Sequence, residues 1–250
     1  MTKIIFAAPN YGPLYSPVVS SWLACVAYTS RFMEVEHIGQ IGGVAITDRM
    51  YTHSGENNCV KEFLAMKDAT HLFLTESDMI LPKDAIINLL KLDKDAASGV
   101  YFLRQGHGTP CLFTPAKATN PLNPYGHTQV TSFPIDRPFK IGCPGLGCVL
   151  IKRKVLEIMQ PPWFDLKEAD DKGRGWGSDM YFYYHLREAG FETWCDPSVM
   201  CDQIDYQVVT FNDYKRRMQT DPTFLSKGVL LGWESQPPKS SNGEPAAVTP

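Results

Sequence analysis

Two acids stand one residue apart in the stretch HLFLTESDMILP, residues 71–82. Glu76 and Asp78 follow the apolar run His71 to Leu74 and precede Pro82, a residue suited to the first turn of a helix. In an extended segment side chains i and i+2 point the same way, so the two carboxylates converge. Held close, they repel and require a proton, solvent or a cation between them. A hard cation takes oxygen ligands, and Mg2+ is typically held by one or two carboxylates plus substrate phosphates. The chemistry on offer is therefore a Mg2+ or Mn2+ grip on a diphosphate. The competing reading is a pair of acids placed for the dipole of the following helix.

GWGSDMYFYYHLREAGF, residues 175–191, has the same form: a glycine-rich loop, then an acid at a helix start. Ser178 suits an N-cap and Asp179 the first turn. Trp176 and its glycines could also close over a substrate, with Asp179 at the rim. CDPSVMCDQID, residues 195–205, sets Asp202 and Asp205 at the end of a strand.

The elements that position these groups follow from hydrophobic pattern. KIIFAA (3–8) reads as a buried first strand ended by the Pro9-Asn10-Tyr11-Gly12 turn. Helices are expected over 17–32, 57–68 and 82–91, the second carrying Val60, Phe63 and Leu64 on one face. One or two strands broken by Gly42-Gly43 fall in 33–47, and further strands at 71–75 and 95–102. The first hundred residues thus read β-α-β-α-β-α-β, the sequence form of a parallel sheet covered by helices. Such sheets bind ligands at the carboxyl ends of their strands, where both the Pro9–Gly12 and Glu76–Asp78 turns lie. A long, proline-rich connection over 103–140 reads as a functional or mobile region. Strand 139–151, helix KRKVLEIM, loop 161–177, helix 179–189 ended by Gly190, and two strand-like pieces in FETWCDPSVMCDQI complete the order. Residues 235–250 read as a disordered tail.

Composition bounds the function. With 250 residues, 44% hydrophobic and 20% charged, the chain can bury one large core. Net charge is −3 with no Lys/Arg run, so nothing announces nucleic acid or an anionic membrane. Seven scattered cysteines without a C-x-x-C pair, and no export signal, point to a reduced, cytoplasmic protein. No apolar run reaches the ~18 residues of a membrane span. Other residues are discounted: His71 as a polar strand end, His107 and His127 as loop histidines, the cysteines for want of zinc spacing. Gly145-Leu146-Gly147 lacks the third glycine of a dinucleotide fingerprint. Trp163 and Trp176 read equally as sugar-stacking rings or loop anchors, and Lys215-Arg216-Arg217 as a solvated helix face.

HLFLTESDMILPKDAIINLL resembles the strand–DxD–turn–helix of nucleotide-sugar glycosyltransferases with the GT-A fold, family-2-like in character. PGLGCVLIKRKVLEIMQPPWF and GWGSDMYFYYHLREAGFETWCDPSVMCDQI are similar to that family's second half, so the likeness runs in order over residues 3–205. It implies an α/β GT-A fold, a mostly parallel central sheet flanked by helices with a long acceptor-side loop region. One catalytic domain is implied over 1–234, a nucleotide-binding half (1–102) followed by an acceptor-binding half (103–234). It implies Asp78 as a Mn2+ or Mg2+ ligand with Glu76 acting directly or through water or ribose, and Ser77 beside them. It implies Pro9, Asn10, Tyr11 and Asn58 at the nucleotide, and Gly145, Gly147, Trp163, Trp176 and Ser178 around the substrates. Asp179 matches the acid that, in inverting members, deprotonates the acceptor hydroxyl.

Two positions depart from the family. Ser178 replaces a Glu, and Cys201-Asp202-Gln203 stands where a His is frequent, leaving Gln203 or Asp202 as the further metal contact. The expected reaction moves a sugar from a nucleotide-diphosphate donor, UDP by default, to a hydroxyl acceptor. A glycan, a small molecule and a hydroxylated base in DNA are compatible acceptors, since small stand-alone enzymes of this kind occur in phages and viruses. The rivals are a nucleotidyltransferase, disfavoured because PNYGPLYSP carries no basic residue, and a degenerate binding protein, favoured by Ser178 and Gln203.

Overall fold

The computed structural model describes residues 1–104, 108–115, 126–167, 175–204 and 208–231. The tail assigned to 235–250, His107, Asp205 and part of the 161–177 loop lie outside the described residues.

The first half alternates as its pattern requires: β1 (Thr2–Ala8), α1 (Ser16–Val35), β2 (Gly39–Ile46), α2 (Thr52–Ala65), β3 (His71–Thr75). Then come the short β4 (Met79–Ile80), α3 (Ala85–Lys91), β5 (Ala96–Val100) and β6 (Phe102–Leu103). β7 (Thr109–Pro110), β8 (Phe113–Pro115) and β9 (His127–Ser132) come from the proline-rich region. β10 (Phe139–Ile141), β11 (Cys148–Lys152), α4 (Arg153–Met159) and α5 (Ser178–Glu188) follow. β12 (Thr193–Met200), β13 (Asp202–Ile204), β14 (Val208–Val209), α6 (Phe211–Thr220) and β15 (Val229–Leu230) end the described chain.

The central sheet has seven strands in the order β10-β12-β5-β11-β3-β1-β2. β1, β2, β3, β5 and β12 run one way, while β11 and β10 run against them. The sheet is thus mostly parallel, and β11, from the second half of the chain, is wedged between β3 and β5 of the first. Helices cover both faces. β1 shows why its apolar run is continuous: Ile4, Phe6 and Ala8 pack toward α1 and α3, and Ile5 and Ala7 toward α2, α4 and α5. A third cluster, around Phe102, Phe133, Phe139 and Tyr214, holds α6 onto the later strands.

Some expectations hold and several are corrected. The helix read over 17–32 continues to Val35, since Met33 completes the buried stripe Val18, Trp22, Cys25, Thr29. Of the one or two strands expected in 33–47 there is one, β2, and the expected interruption is a slip in its pairing with β1 opposite Gly42, between Ile41 and Gly43. α2 begins five residues early, at Thr52, and α5 is capped by Gly177, so Ser178 is its first helical residue and not its N-cap. All seven cysteines are buried and unpaired with one another. Gly190 ends α5 in the left-handed region (φ 83°), as a helix-terminating glycine does. Arg217 is not part of a wholly solvated face: Nη1 donates to Thr109 Oγ1 at 2.8 Å. No helix among the described residues is long and apolar enough to cross a membrane.

Candidate active site

The carboxyl ends of β1, β3 and β5 open onto two adjoining cavities. The first, about 510 Å3, is lined by residues including Pro9, Asn10, Tyr11, Glu76, Ser77, Asp78 and Arg104. The second, about 460 Å3, is lined by Glu76, Tyr101, Leu103, Arg104, Cys111, Asp179 and Gln203. Glu76 and Arg104 belong to both, so they form the shared wall.

Backbone ties build this geometry. Thr47 Oγ1 accepts from the Asn10 amide at 3.0 Å, holding the loop after β1 to the end of β2. Thr75 Oγ1 donates to the Gly147 carbonyl at 2.7 Å, tying β3 to the loop before β11. Glu76 to Met79 closes a turn through Met79 N–H to Glu76 C=O at 3.1 Å. The two acids therefore meet through a turn, rather than through the extended i, i+2 alternation expected. α1 clamps that turn: Trp22 Nε1 donates to Met79 O at 3.2 Å, and Ser21 Oγ accepts from Leu81 N at 3.1 Å. β13 pairs with β4, opposing Gln203 to Met79, and Ile204 N–H reaches Asp78 C=O at 2.8 Å. That pairing sets Gln203 Nε2 3.1 Å from Asp78 Oδ2. Arg104 Nη1 approaches the same oxygen at 3.2 Å.

Asp179 stands in the first turn of α5, its Oδ1 accepting from the Met180 amide at 2.7 Å. Burial pushes its carboxyl above the usual range, with backbone N–H groups opposing. Burial pushes Glu76 well up too, reinforced by the charges of Asp78, Glu56 and Asp179 and opposed by Arg104.

Glu56 was not singled out from sequence. It is fully buried on α2, and neither carboxylate oxygen has a hydrogen-bond partner at normal geometry. Burial raises it to about 8, with the Ser178 hydroxyl opposing and the Asp179 charge adding. A signal did exist. The apolar face read from Val60, Phe63 and Leu64, continued one turn back, arrives at residue 56, where an acid is out of place.

The structure gathers Pro9, Asn10, Tyr11, Glu76, Ser77, Asp78, Gln203 and Asp179 at the two cavities. Ser178 sits behind Asp179, beside Glu56. The remaining residues go elsewhere. Asn58 lines a separate groove with Lys61, Pro161 and Pro162, its Nδ2 donating to Glu62. Asp202, one residue from buried Gln203 on β13, lines neither cavity, because alternate strand side chains face opposite ways. Trp163 is buried and its Nε1 donates to the Leu156 carbonyl at 2.7 Å, an anchoring role. Trp176 bridges Lys167 through the backbone, with the Lys167 ammonium 4.9 Å from its ring centroid. Gly145 (φ 67°) and Gly147 serve the wall of the second cavity. A Cβ at Gly145 would overlap the Tyr101 hydroxyl, and one at Gly147 would press on the Tyr101 ring and Met79.

For a divalent cation, the donor chemistry fits. Glu76, Asp78 and Asp179 are hard oxygen donors, and Gln203 Oε1 is buried without a hydrogen-bond partner. Among the described residues no three His, Cys, Asp or Glu side chains already form a cage. One or two side chains completed by ligand oxygens match that arrangement.

No family model matches the chain, and no curated protein matches it. Among solved structures, A197 from STIV aligns with a TM-score of 0.55 at 18% identity, over 85% of this chain and 92% of that one. The catalytic domain of Drosophila beta1,4galactosyltransferase 7 with xylobiose gives 0.37 at 13% identity, over 88% and 74%. A variant of that enzyme with manganese, UDP-Gal and xylobiose gives 0.35 at 14%, over 85% and 69%. The last two superpose too loosely to transfer a residue or a ligand, and the first is a likeness of fold: this chain shares the α/β architecture of A197.

Proposed function

We propose that this protein is a GT-A-type glycosyltransferase that moves a sugar from a nucleotide-diphosphate donor to a hydroxyl acceptor. The observation that carries the reading is the pair of cavities sharing Glu76 and Arg104, with Asp179 in the second. The first cavity offers Pro9, Asn10 and Tyr11 for a nucleoside and Glu76, Ser77 and Asp78 for a cation-bound diphosphate. The second would admit the acceptor.

Breaking a sugar–diphosphate bond builds negative charge on the leaving phosphate. Asp78, with Glu76 and Gln203 in support, would hold Mn2+ or Mg2+, which would supply Lewis-acid stabilisation of that charge. Asp179 takes the proton from the acceptor hydroxyl as it attacks. Its half-buried position and raised pKa suit a base that must hold a proton during the step. Attack from the face opposite the leaving group inverts the anomeric carbon. Tyr101, for whose ring Gly145 and Gly147 leave room, lines the second cavity and would wall the acceptor side.

A second reading, a non-catalytic nucleotide-sugar binder, draws on Asp78 being engaged by both Arg104 and Gln203. One experiment addresses both. Thermal shifts are measured with UDP, GDP, ADP, CDP and TDP, each with and without Mn2+, because a ligand of the native state raises its stability. Stabilisation by one nucleotide only with metal, lost in Asp78→Ala, supports a donor site. Hydrolysis of the matching nucleotide-sugar then separates enzyme from binder. No shift with any nucleotide sinks both readings.

A further inference from the structure

Arg104 is the one cationic side chain, among the described residues, that lines either cavity, and it lines both. Around it stand Glu76, Asp78 and Asp179, with Glu56 behind. The carboxyl groups that line the cavities give a phosphate no attraction, and Arg104 is the group of opposite charge among their lining residues. Arg104 is half exposed, while Asp78 is 16% exposed, so the guanidinium reaches from solvent toward the carboxylate. Its backbone is held at the end of β6, which pairs with β7 through Phe102–Pro110 and Leu103–Thr109. The side chain is therefore anchored at its root, with about half of its surface open to solvent at its tip.

Arg104 and a divalent cation contend for one partner. The guanidinium lies 3.2 Å from Asp78 Oδ2, and two positive groups on one carboxylate repel each other. A guanidinium displaced from a carboxylate finds in a phosphate the other group that its planar fork matches. We propose that Arg104 is a phosphate-binding residue, which exchanges Asp78 for the donor's diphosphate when a divalent cation takes the Asp78 carboxylate. This rests on the donor-site reading of the first cavity. It gives that site a protein-borne positive charge on the leaving group in addition to the metal.

The exchange predicts effects of opposite sign, which a merely structural arginine does not produce. The test uses the full chain and two probes: Mn2+ alone, followed by the loss of the free-ion EPR signal, and inorganic pyrophosphate with saturating Mg2+, followed by calorimetry. Arg104→Ala should bind Mn2+ tighter by at least about threefold, because Asp78 loses its competitor. It should bind pyrophosphate about tenfold or more weakly, because a charged hydrogen-bonding partner is gone. Arg104→Lys should fall between wild type and Arg104→Ala in both, keeping the charge without the fork. If the alanine variant fails to unfold cooperatively, the lysine variant decides by the same two signs.

Parallel loss of both affinities marks Arg104 as a structural prop and overturns the proposal. So does an unchanged affinity for either probe, or wild-type protein that does not bind pyrophosphate. If pyrophosphate binds as predicted but no nucleoside diphosphate does, the donor reading falls and the phosphate role of Arg104 stands.

Discussion

Glu56→Gln is the perturbation whose size the structure sets most directly. The Glu56 carboxyl is fully buried, lacks a hydrogen-bond partner at normal geometry, and is raised from 4.5 to about 8 by burial, with the Ser178 hydroxyl opposing and the Asp179 charge adding. The sign follows from linkage. Between pH 4.5 and 8 the folded state keeps a proton that the unfolded chain has released. Stability then falls as pH rises through that window, by about 1.4 kcal/mol per pH unit. The penalty is absent below pH 4.5, reaches about 3 kcal/mol at pH 7 and levels off near 5 kcal/mol above pH 8. Glutamine has nearly the same shape and does not ionise. It carries an extra pair of N–H donors into the site, at a pH-independent cost of about 1–2 kcal/mol. Urea unfolding of both proteins at pH 5, 6, 7 and 8 gives the midpoints and slopes needed. The difference in stability should move steadily in favour of the variant with pH, crossing zero between pH 5 and 7 and reaching a few kcal/mol at pH 8. Glu76 and Asp179 titrate in both proteins, and because the charges at 56, 76 and 179 raise one another, the measured difference includes the relief of Glu76 as well as the loss of Glu56 itself. Parallel pH profiles separated by a constant offset would refute the reasoning, because Glu56 would then ionise alike in both states.

Three further outcomes are expected. Asp179→Asn should lower kcat by about 10²–10⁴ with donor affinity little changed, read from steady-state kinetics and nucleotide binding side by side; equal losses in both would remove it as the base. Asn57→Ala should cost about 2–4 kcal/mol in urea unfolding, because Asn57 Nδ2 donates to His53 O (2.7 Å) and Phe164 O (2.6 Å) while Oδ1 accepts from Trp163 N (3.0 Å) and Phe164 N (3.3 Å). A loss under about 1 kcal/mol would show the 161–164 segment holding itself. Gly145→Ala should destabilise by about 2 kcal/mol or more, from its left-handed φ of 67° and the overlap with Tyr101, and should weaken acceptor use more than donor binding.

Local chemistry was enough to read much of this protein from its chain. The run Ile4 to Ala8 could be a strand only where both sheet faces are covered, and it is. β3 occupies 71–75 as its pattern required, because burial, a following turn and Pro82 all agree there. The acids of TESD and Asp179 were legible as residue types at element ends, where parallel sheets leave room for ligands. Pairing could not be read locally. Nothing in CVLIK states that β11 runs antiparallel between β3 and β5, since that register is decided by which strand edges remain open once the others have paired. The same holds for the site. Asn58 and Trp163 carried suitable chemistry but were taken by the groove beside α2 and by the core. Glu56 falls just outside the helix read over 57–68, so its place on the apolar face emerges only once α2 is seen to begin at Thr52, and a lone Arg104 at a strand end is ordinary. Their charge coupling depends on neighbours far along the chain, Ser178 and Asp179 for the one and Asp78 for the other. Residue type sets what a group can do and local pattern sets its element, but burial and charge coupling depend on distances that exist only after the sheet has closed.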